Sequence, residues 1–283
     1  MKLNKIKHKA LLFLVLAMLG LSFQACSSER KVAIAYTKKA PSISIMVLKP
    51  EQLFKVNQKV YLLDSIGPVN PGNEAAVLIE NSLFLKHLDD TLFMANYLLG
   101  YQKELAEFGF KVYQESQMES FMQLDSNTIQ ISIAQIELEE TLYTFRDETQ
   151  MFGQQYYHDH NLNAVYVNSW FEISPFNKET NDTSIYFTTD MLVDQVDGIF
   201  DYDQFSGKMR YMFNIDSMTT DMLYNFAYDL GRVYAGYTFD YLMNKAIDKQ
   251  VPKEKRTERY WRFDPYTHTF YLADDDRFIS LDE

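Results

Sequence analysis

This sequence predicts an α/β fold, with a mixed, largely antiparallel sheet packed by two long helices. Three observations carry that expectation. Several short runs alternate apolar and polar residues, as half-buried strands do. Two longer blocks, near residues 80–108 and 219–249, space their apolar residues three or four apart instead. The chain order of strand, helix, strand, helix, several strands and a closing helix then sets helices against one sheet.

Taken in order, Ser42–Leu48 places Ile43, Ile45 and Val47 on one side and stops at Pro50, as a first core strand. A second strand is expected at Lys59–Ser65, before the loop marked by Gly67-Pro68 and Asn70-Pro71-Gly72-Asn73. Glu80–Phe108 reads as a helix through Leu88, Leu92, Ala95, Leu99 and Leu105, with Gly109 as its stop. Phe110–Tyr113 is a short strand and Glu115–Leu124 a short helix. Thr128–Arg146 is a long β run in which Ile129, Ile131 and Ile133 share one parity while Ile136, Leu138 and Leu142 take the other. A strand turns over on a shift of one residue, so a bulge is expected near Ala134-Gln135.

Asp147–Asn163 reads as a loop. Ala164–Ser174 and Ser184–Met191 form an antiparallel pair joined by a turn at Asn177–Asp182. A strand through Met209, Tyr211, Phe213 and Ile215 follows the Ser206-Gly207 turn. Thr219–Lys249 is the longest helix, with Leu223, Phe226, Leu230, Val233, Tyr237 and Tyr241 as its stripe. Ala227, Gly231 and Ala235 fall four apart on it and invite close packing on the domain's own sheet. Lys253–Arg259 is a solvated turn, and Tyr260–Ile279 a final aromatic hairpin. The organisation expected is residues 1–25 as a signal, 26–41 as a tether, 42–251 as the globular domain and 252–283 as an extension of it.

The amino terminus is the most specific stretch. Lys2, Lys5, Lys7 and Lys9 precede the apolar run Ala10–Phe23, which is 14 residues long. About 20 are needed to span a bilayer, so the run reads as a removable signal. Cys26, directly after it, is the only cysteine. A lone cysteine in an exported protein makes no internal disulfide, and its place here favours modification. The segment Leu21-Ser22-Phe23-Gln24-Ala25-Cys26 resembles the lipobox of bacterial lipoprotein precursors. That resemblance implies a diacylglycerol on the Cys26 thiol, cleavage just before it and acylation of the new amino group. The alternative is a plain secretory signal cut nearby, after Ser27. By the same resemblance to Gram-negative lipoproteins, Ser27 implies the outer membrane. Glu29 followed by Arg30 and Lys31, in place of an acidic run, implies a domain facing the periplasm.

Composition excludes some functions. The chain has 27 basic and 39 acidic residues, a formal charge of −12. Loss of residues 1–25 removes four lysines and no acid, which leaves −16. No basic stripe is present, so nucleic acid is not an expected partner. The expected partners are a membrane, through the N-terminal lipid, and an envelope protein. Abundant aromatics (20 Tyr, 21 Phe) with few Gly (10) and Pro (7) argue for a packed core.

The order of elements over Ser42–Lys249 resembles envelope lipoproteins related to the curli-secretion channel subunit and to the amino-terminal domain of TolB. The resemblance is one of pattern, and no functional residue is carried over.

Catalytic signatures for a serine elbow, phosphate loop, dinucleotide fold or HExxH zinc site are absent. Cys26 is committed to the anchor or lost with the signal. No catalytic residue, cofactor or metal is therefore assigned. His158 and His160 would face one way on a strand and, with Asp147 or Glu148, suit a metal, but the segment reads as a surface loop. Asp274-Asp275-Asp276 and the cluster Asp197, Asp201 and Asp203 read as solvated turns rather than calcium sites. Glu137, Glu139 and Glu140 offer a glycosidase-like carboxylate pair near a bend. Tyr143, Tyr166, Trp170, Tyr260 and Trp261 stand near strand ends, where they would stack on a sugar or pack locally. No run shows strict alternation over the 9–11 residues of a membrane strand with one lipid-facing side. The reading that results is a non-enzymatic, lipid-anchored envelope protein that binds or scaffolds a partner in outer-membrane assembly, secretion or transport. Its rival is a lipid-anchored, glycan-directed hydrolase using Asp or Glu.

Overall fold

The computed structural model describes residues 28–124, 127–176 and 183–281. Cys26 and the turn expected at Asn177–Asp182 lie outside the described residues. The described residues form two compact units, one within 42–237 and 277–281, the other within 28–41 and 238–276.

The larger unit is an α/β fold around one mixed sheet, largely antiparallel in the extent of its pairing. Its strands are β1 (Ser44–Leu48), β2 (Leu53–Asn57), β3 (Lys111–Gln114), β4 (Thr128–Met151), β5 (Gln154–Pro175), β6 (Ser184–Val193) and β11 (Ile279–Ser280). The order is β11-β6-β5-β4-β1-β3, and β2 also pairs with β4. One edge of β4 serves two parallel partners in turn, β1 at Thr128–Ser132 and β2 at Ile136–Glu140. The register shift between Ile133 and Gln135 falls at this handover, where the parity change predicted a bulge. Pro50, which has no N–H to offer a ladder, lies between β1 and β2.

Helices α4 (Asp90–Glu107) and α6 (Thr220–Gln250) supply the rest of the core. Phe93, Tyr97, Tyr101 and Leu105 of α4 and Leu223, Ala227, Leu230 and Tyr234 of α6 are buried. So are the strand residues Ile131, Ile133, Ile136, Leu138, Val165, Val167 and Phe171. Tyr101 stacks on Phe171 at 5.8 Å between ring centres, and Tyr234 meets Phe171 edge-on at 6.0 Å. The Tyr97 hydroxyl donates to Ser169 at 3.2 Å, so the ring is buried without stranding its oxygen. The helices cross where Gly100 faces Gly231. A Cβ on Gly100 would lie 2.1 Å from the Tyr228 carbonyl oxygen, and one on Gly231 would lie 2.1 Å from that of Tyr97. The small residues of α6 thus admit a neighbouring helix, where close packing on the sheet was expected.

Three expectations are corrected. Lys59–Ser65 is not a strand: the strand is β2, and α2 (Leu62–Ile66) follows it. The block Glu80–Phe108 is broken into α3 (Glu74–Glu80), a 3₁₀ turn at Leu85–His87 and α4. The break has a cause, because the N–H groups of Leu83, Phe84 and Leu85 bond to the Glu140 carboxylate rather than to a helix. Helix α4 restarts on Asp89, whose side chain accepts from the N–H groups of Thr91 and Leu92. Thirdly, the stretch read as a tether holds helix α1 (Ser28–Lys39).

In the smaller unit, α1 accompanies the end of α6 and the hairpin of β9 (Tyr260–Asp264) and β10 (Thr269–Ala273). Glu29 is buried and accepts from the Trp261 indole N–H at 3.1 Å and from Thr257. Asn244 bonds both the N–H and the carbonyl of Trp261, so its amide acts as a further strand partner. Tyr36 meets Phe239 edge-on at 5.6 Å.

The glycine crossing is testable. Alanine gains about 1 kcal/mol over glycine in helix propensity, but here its methyl would strike backbone. Gly100→Ala and Gly231→Ala should each lower stability by about 3 kcal/mol or more in urea unfolding, through a lower midpoint at unchanged slope.

Candidate functional site

Beyond Glu140 the strands β4 and β5 leave the rest of the sheet. Ala164 still pairs with Val193 of β6, and from Leu142–Asn163 to Met151–Gln154 the two strands pair with each other alone, an arm on the order of 30 Å long at the usual rise per residue. Phe152 and Gly153 form its turn at φ 53° and 75°, the left-handed pair that a type I′ hairpin requires. The expectation of a loop over Asp147–Asn163 is thereby corrected. The strands alternate over more than a membrane-strand length, which leaves standing the expectation that none does so with a lipid-facing side. The outward side of this arm carries Thr144, Arg146, Glu148 and Gln150 on β4 and Gln155, Asp159 and Asn161 on β5, all exposed. Arg146 grips Asp159 through two hydrogen bonds, and its guanidinium lies over the Tyr157 ring. This is a side built for water, not for lipid chains.

A second hairpin, β7 (Gln195–Asp203) with β8 (Lys208–Asp216), covers the inward side. His158 of β5 stacks on Tyr211 of β8 at 4.5 Å, and His160 meets Phe213 edge-on at 4.7 Å. The Tyr211 hydroxyl donates to Asp147 at 2.7 Å and lies 2.9 Å from His160 Nε2, from which it accepts. Burial, with the Asp147 hydrogen bond and charge, pushes the Tyr211 hydroxyl up to about 12. Gly198 makes room for this contact. A Cβ there would lie 1.9 Å from the Tyr211 oxygen and 2.6 Å from Asp147 Oδ2.

The root of the arm is a buried chain of polar groups. Glu140, fully buried, accepts from Lys59 Nζ at 2.9 Å and from the N–H groups of Leu83, Phe84 and Leu85. Lys59 also donates to Asn163 Oδ1 at 2.8 Å. Asn163 in turn donates twice to Asp194, and Asp194 accepts from the Met218 N–H at 2.9 Å. Burial alone would raise the Glu140 carboxyl. The backbone donors and Lys59 outweigh it and hold the group below its ordinary value.

The residues singled out by sequence are thus sorted by the pleat. His158 and His160 share one face with Asp147, but His160 is engaged by Tyr211. Glu148 lies on the other side of the strand and accepts from Gln155. Among the described residues no group of three or more His, Cys, Asp or Glu is arranged to hold a metal. Glu140 is buried against Lys59 on one face of β4, while Glu137, beside Asn168 at 3.4 Å, and Glu139 stand on the other. The carboxylates nearest each other in sequence therefore stand on opposite faces. Asp197, Asp201 and Asp203 lie along β7, where Asp203 caps the turn by accepting from Phe205, Ser206 and Arg210. Asp274 and Asp275 pair with Arg259 and Arg262. Trp261 is core, Trp170 packs on Phe187 at 5.0 Å, Tyr143 and Tyr166 are half-buried, and Tyr260 is exposed. Sequence reasoning missed Lys59, Asn163, Asp194 and Tyr211 as partners in these networks. No protein-family model matches this chain, and no curated protein matches it at a significant level of similarity.

Removing Lys59 strands a buried carboxylate, so Lys59→Met should cost about 3–5 kcal/mol in urea unfolding. Because the folded Glu140 value is depressed, its contribution is complete above the ordinary value of 4.5 and is lost as pH falls through the folded one. Wild type should lose stability below that point, and Glu140→Gln should show a shallower acid limb. Tyr211→Phe leaves Asp147 and His160 each short of a partner. A loss of about 1–3 kcal/mol is expected, seen as faster hydrogen exchange confined to β7 and β8.

Proposed function

We propose that this chain is a lipid-anchored protein of the bacterial cell envelope. On this reading Cys26 is acylated, the chain is held on the outer membrane, and its folded part faces the periplasm. It acts without catalysis, as a binding and scaffolding component of assembly, secretion or transport. The arm is the element through which it engages what it binds.

The observation that carries the reading is the arm itself. Paired strands extend well past the sheet that folds the unit, and a second hairpin is spent on covering one side of them. A two-stranded ribbon is marginal in water alone, so keeping one extended requires this second layer. Stability of the α/β core has no need of that reach. Of the three candidate carboxylates, Glu140 is consumed by Lys59 and stands on the opposite face from Glu137 and Glu139, which sit two apart on one strand instead of facing each other. That favours binding over hydrolysis. For the anchor the support is the signal-like amino terminus with its single cysteine. Two or more acyl chains, each buried methylene worth about 0.8 kcal/mol, hold a protein stably on a bilayer. No helix among the described residues is long and apolar enough to cross a membrane.

Fractionation of cells producing wild type and Cys26→Ala tests the reading. Wild type should pellet with outer membranes, with a mature terminus at Cys26 carrying diacylglycerol by mass spectrometry, while Cys26→Ala should lose that modification. A mature terminus beyond residue 26, or an unmodified thiol, would overturn it.

A further inference from the structure

The two hairpins of the arm end together. Phe152, at the β4–β5 turn, is 77% exposed and touches Tyr202 of β7 with ring centres 4.7 Å apart. Phe205, three residues beyond Tyr202 in the β7–β8 turn, is fully exposed. The Tyr202 contact accounts for Phe152 only in part, and folding does not explain Phe205. A turn position at φ 53° suits Asn or Gly better than Phe, and an aromatic left in water contributes nothing to the core. Both rings stand at the end of the arm, open to solvent.

Charge separates this end from the rest of the molecule. Residues 149–157 carry none, and residues 202–210 set Asp203 against Lys208 and Arg210, a net +1 on a chain of −12. Asp203 is already occupied by the turn N–H groups and by Arg210. Screening cuts the field of the acidic body within about 8–10 Å, far less than the length of the arm. A negatively charged surface approaching the tip therefore meets two aromatic rings, uncharged Gln154, Gln155 and Ser206, and the cation Lys208. Aromatic wedges with a polar and cationic rim are suited to the headgroup layer of a bilayer, where rings bury and amides stay wet.

We infer that the tip of the arm, through Phe152 and Phe205, inserts into the interfacial layer of a membrane containing anionic phospholipid. This contact is separate from the Cys26 anchor and acts at the far end of the arm.

The test uses the mature, envelope-extracted protein with single cysteines at Phe152→Cys or Phe205→Cys, labelled with an environment-sensitive fluorophore. Glu172→Cys, exposed on β5 outside the arm, is the control. An acylated Cys26 has no free thiol; if wild type takes the label, the anchor reading has failed, and the same probes are then placed in a Cys26→Ser background. On vesicles of phosphatidylethanolamine and phosphatidylglycerol, both tip probes should shift to the blue and be quenched by nitroxides in the shallow acyl chain, with the control unaffected. Phosphatidylethanolamine alone should give a weaker response. In the unanchored background, Phe152→Ser with Phe205→Ser should weaken vesicle binding on the order of tenfold or more. Vesicle-bound protein with unquenched tip probes would overturn the inference while leaving the anchor intact. Shielding of the probes only when envelope proteins are added would overturn it in favour of a protein partner.

Discussion

The structure depends on one buried carboxylate. Glu140 is the last fully buried residue of β4, and everything after it on that strand belongs to the arm. An unpaired carboxylate in such a place would cost several kcal/mol, so its four donors are obligatory rather than decorative. Three of them are consecutive backbone N–H groups, which sets the segment Leu83–Leu85 against the strand and forbids a continuous helix there. The fourth is Lys59, which reaches on to Asn163 of β5. A single side chain thereby aligns the helical layer, the second strand and both strands of the arm. Apolar replacements of similar size often match a buried ion pair in stability. What the pair adds here is register, because a strand slipped by one residue would turn Glu140 out to solvent and leave Lys59 buried without a counter-charge.

The helical layer is governed by a different constraint, the near contact of two backbones. Gly100 and Gly231 lie where any larger residue would meet a carbonyl group. With the axes this close, Tyr101 and Tyr234 reach Phe171 on the sheet, and Tyr97 packs on Tyr234 and bonds Ser169 beside them. The many aromatics of the chain are thus core material where they share a face with helices. Among the exposed ones, Phe152 and Phe205 at the end of the arm are the most open to solvent.

What was legible in the sequence followed apolar periodicity. The parity change between Ile133 and Ile136 foretold the bulge, Leu223 to Val233 marked the closing helix, and Val165 to Ile173 found its strand and the neighbour across it. Of the arm, the strand through Met209, Tyr211, Phe213 and Ile215 was legible, but the stretch 147–163 was not, because Asp147, His158 and His160 interrupt the apolar alternation on its inward side, as Gly198 does on the other layer. Its turn, Phe152-Gly153, lacks the Asn or Asp that usually signals a tight hairpin. Gly198, set among aspartates, looked like part of an acidic loop, whereas its role is to vacate the space that Tyr211 occupies. Glu140 and Lys59 stand 81 residues apart, and no local pattern announces such a pair.

A slender two-layered arm has little apolar area to spend, and small apolar contacts do not fix register by themselves. Shifting β8 by two residues along β5 would keep every ring on the inward side and lose little burial. The same shift would part the Tyr211 hydroxyl from Asp147 and His160 and drive a side chain into the space that Gly198 leaves open. Directional bonds in the middle of the arm therefore select one alignment of its two layers, as Glu140 does at the root. That alignment brings both turns to the same end. Phe152 and Phe205 are presented together only because the polar interior behind them permits a single register.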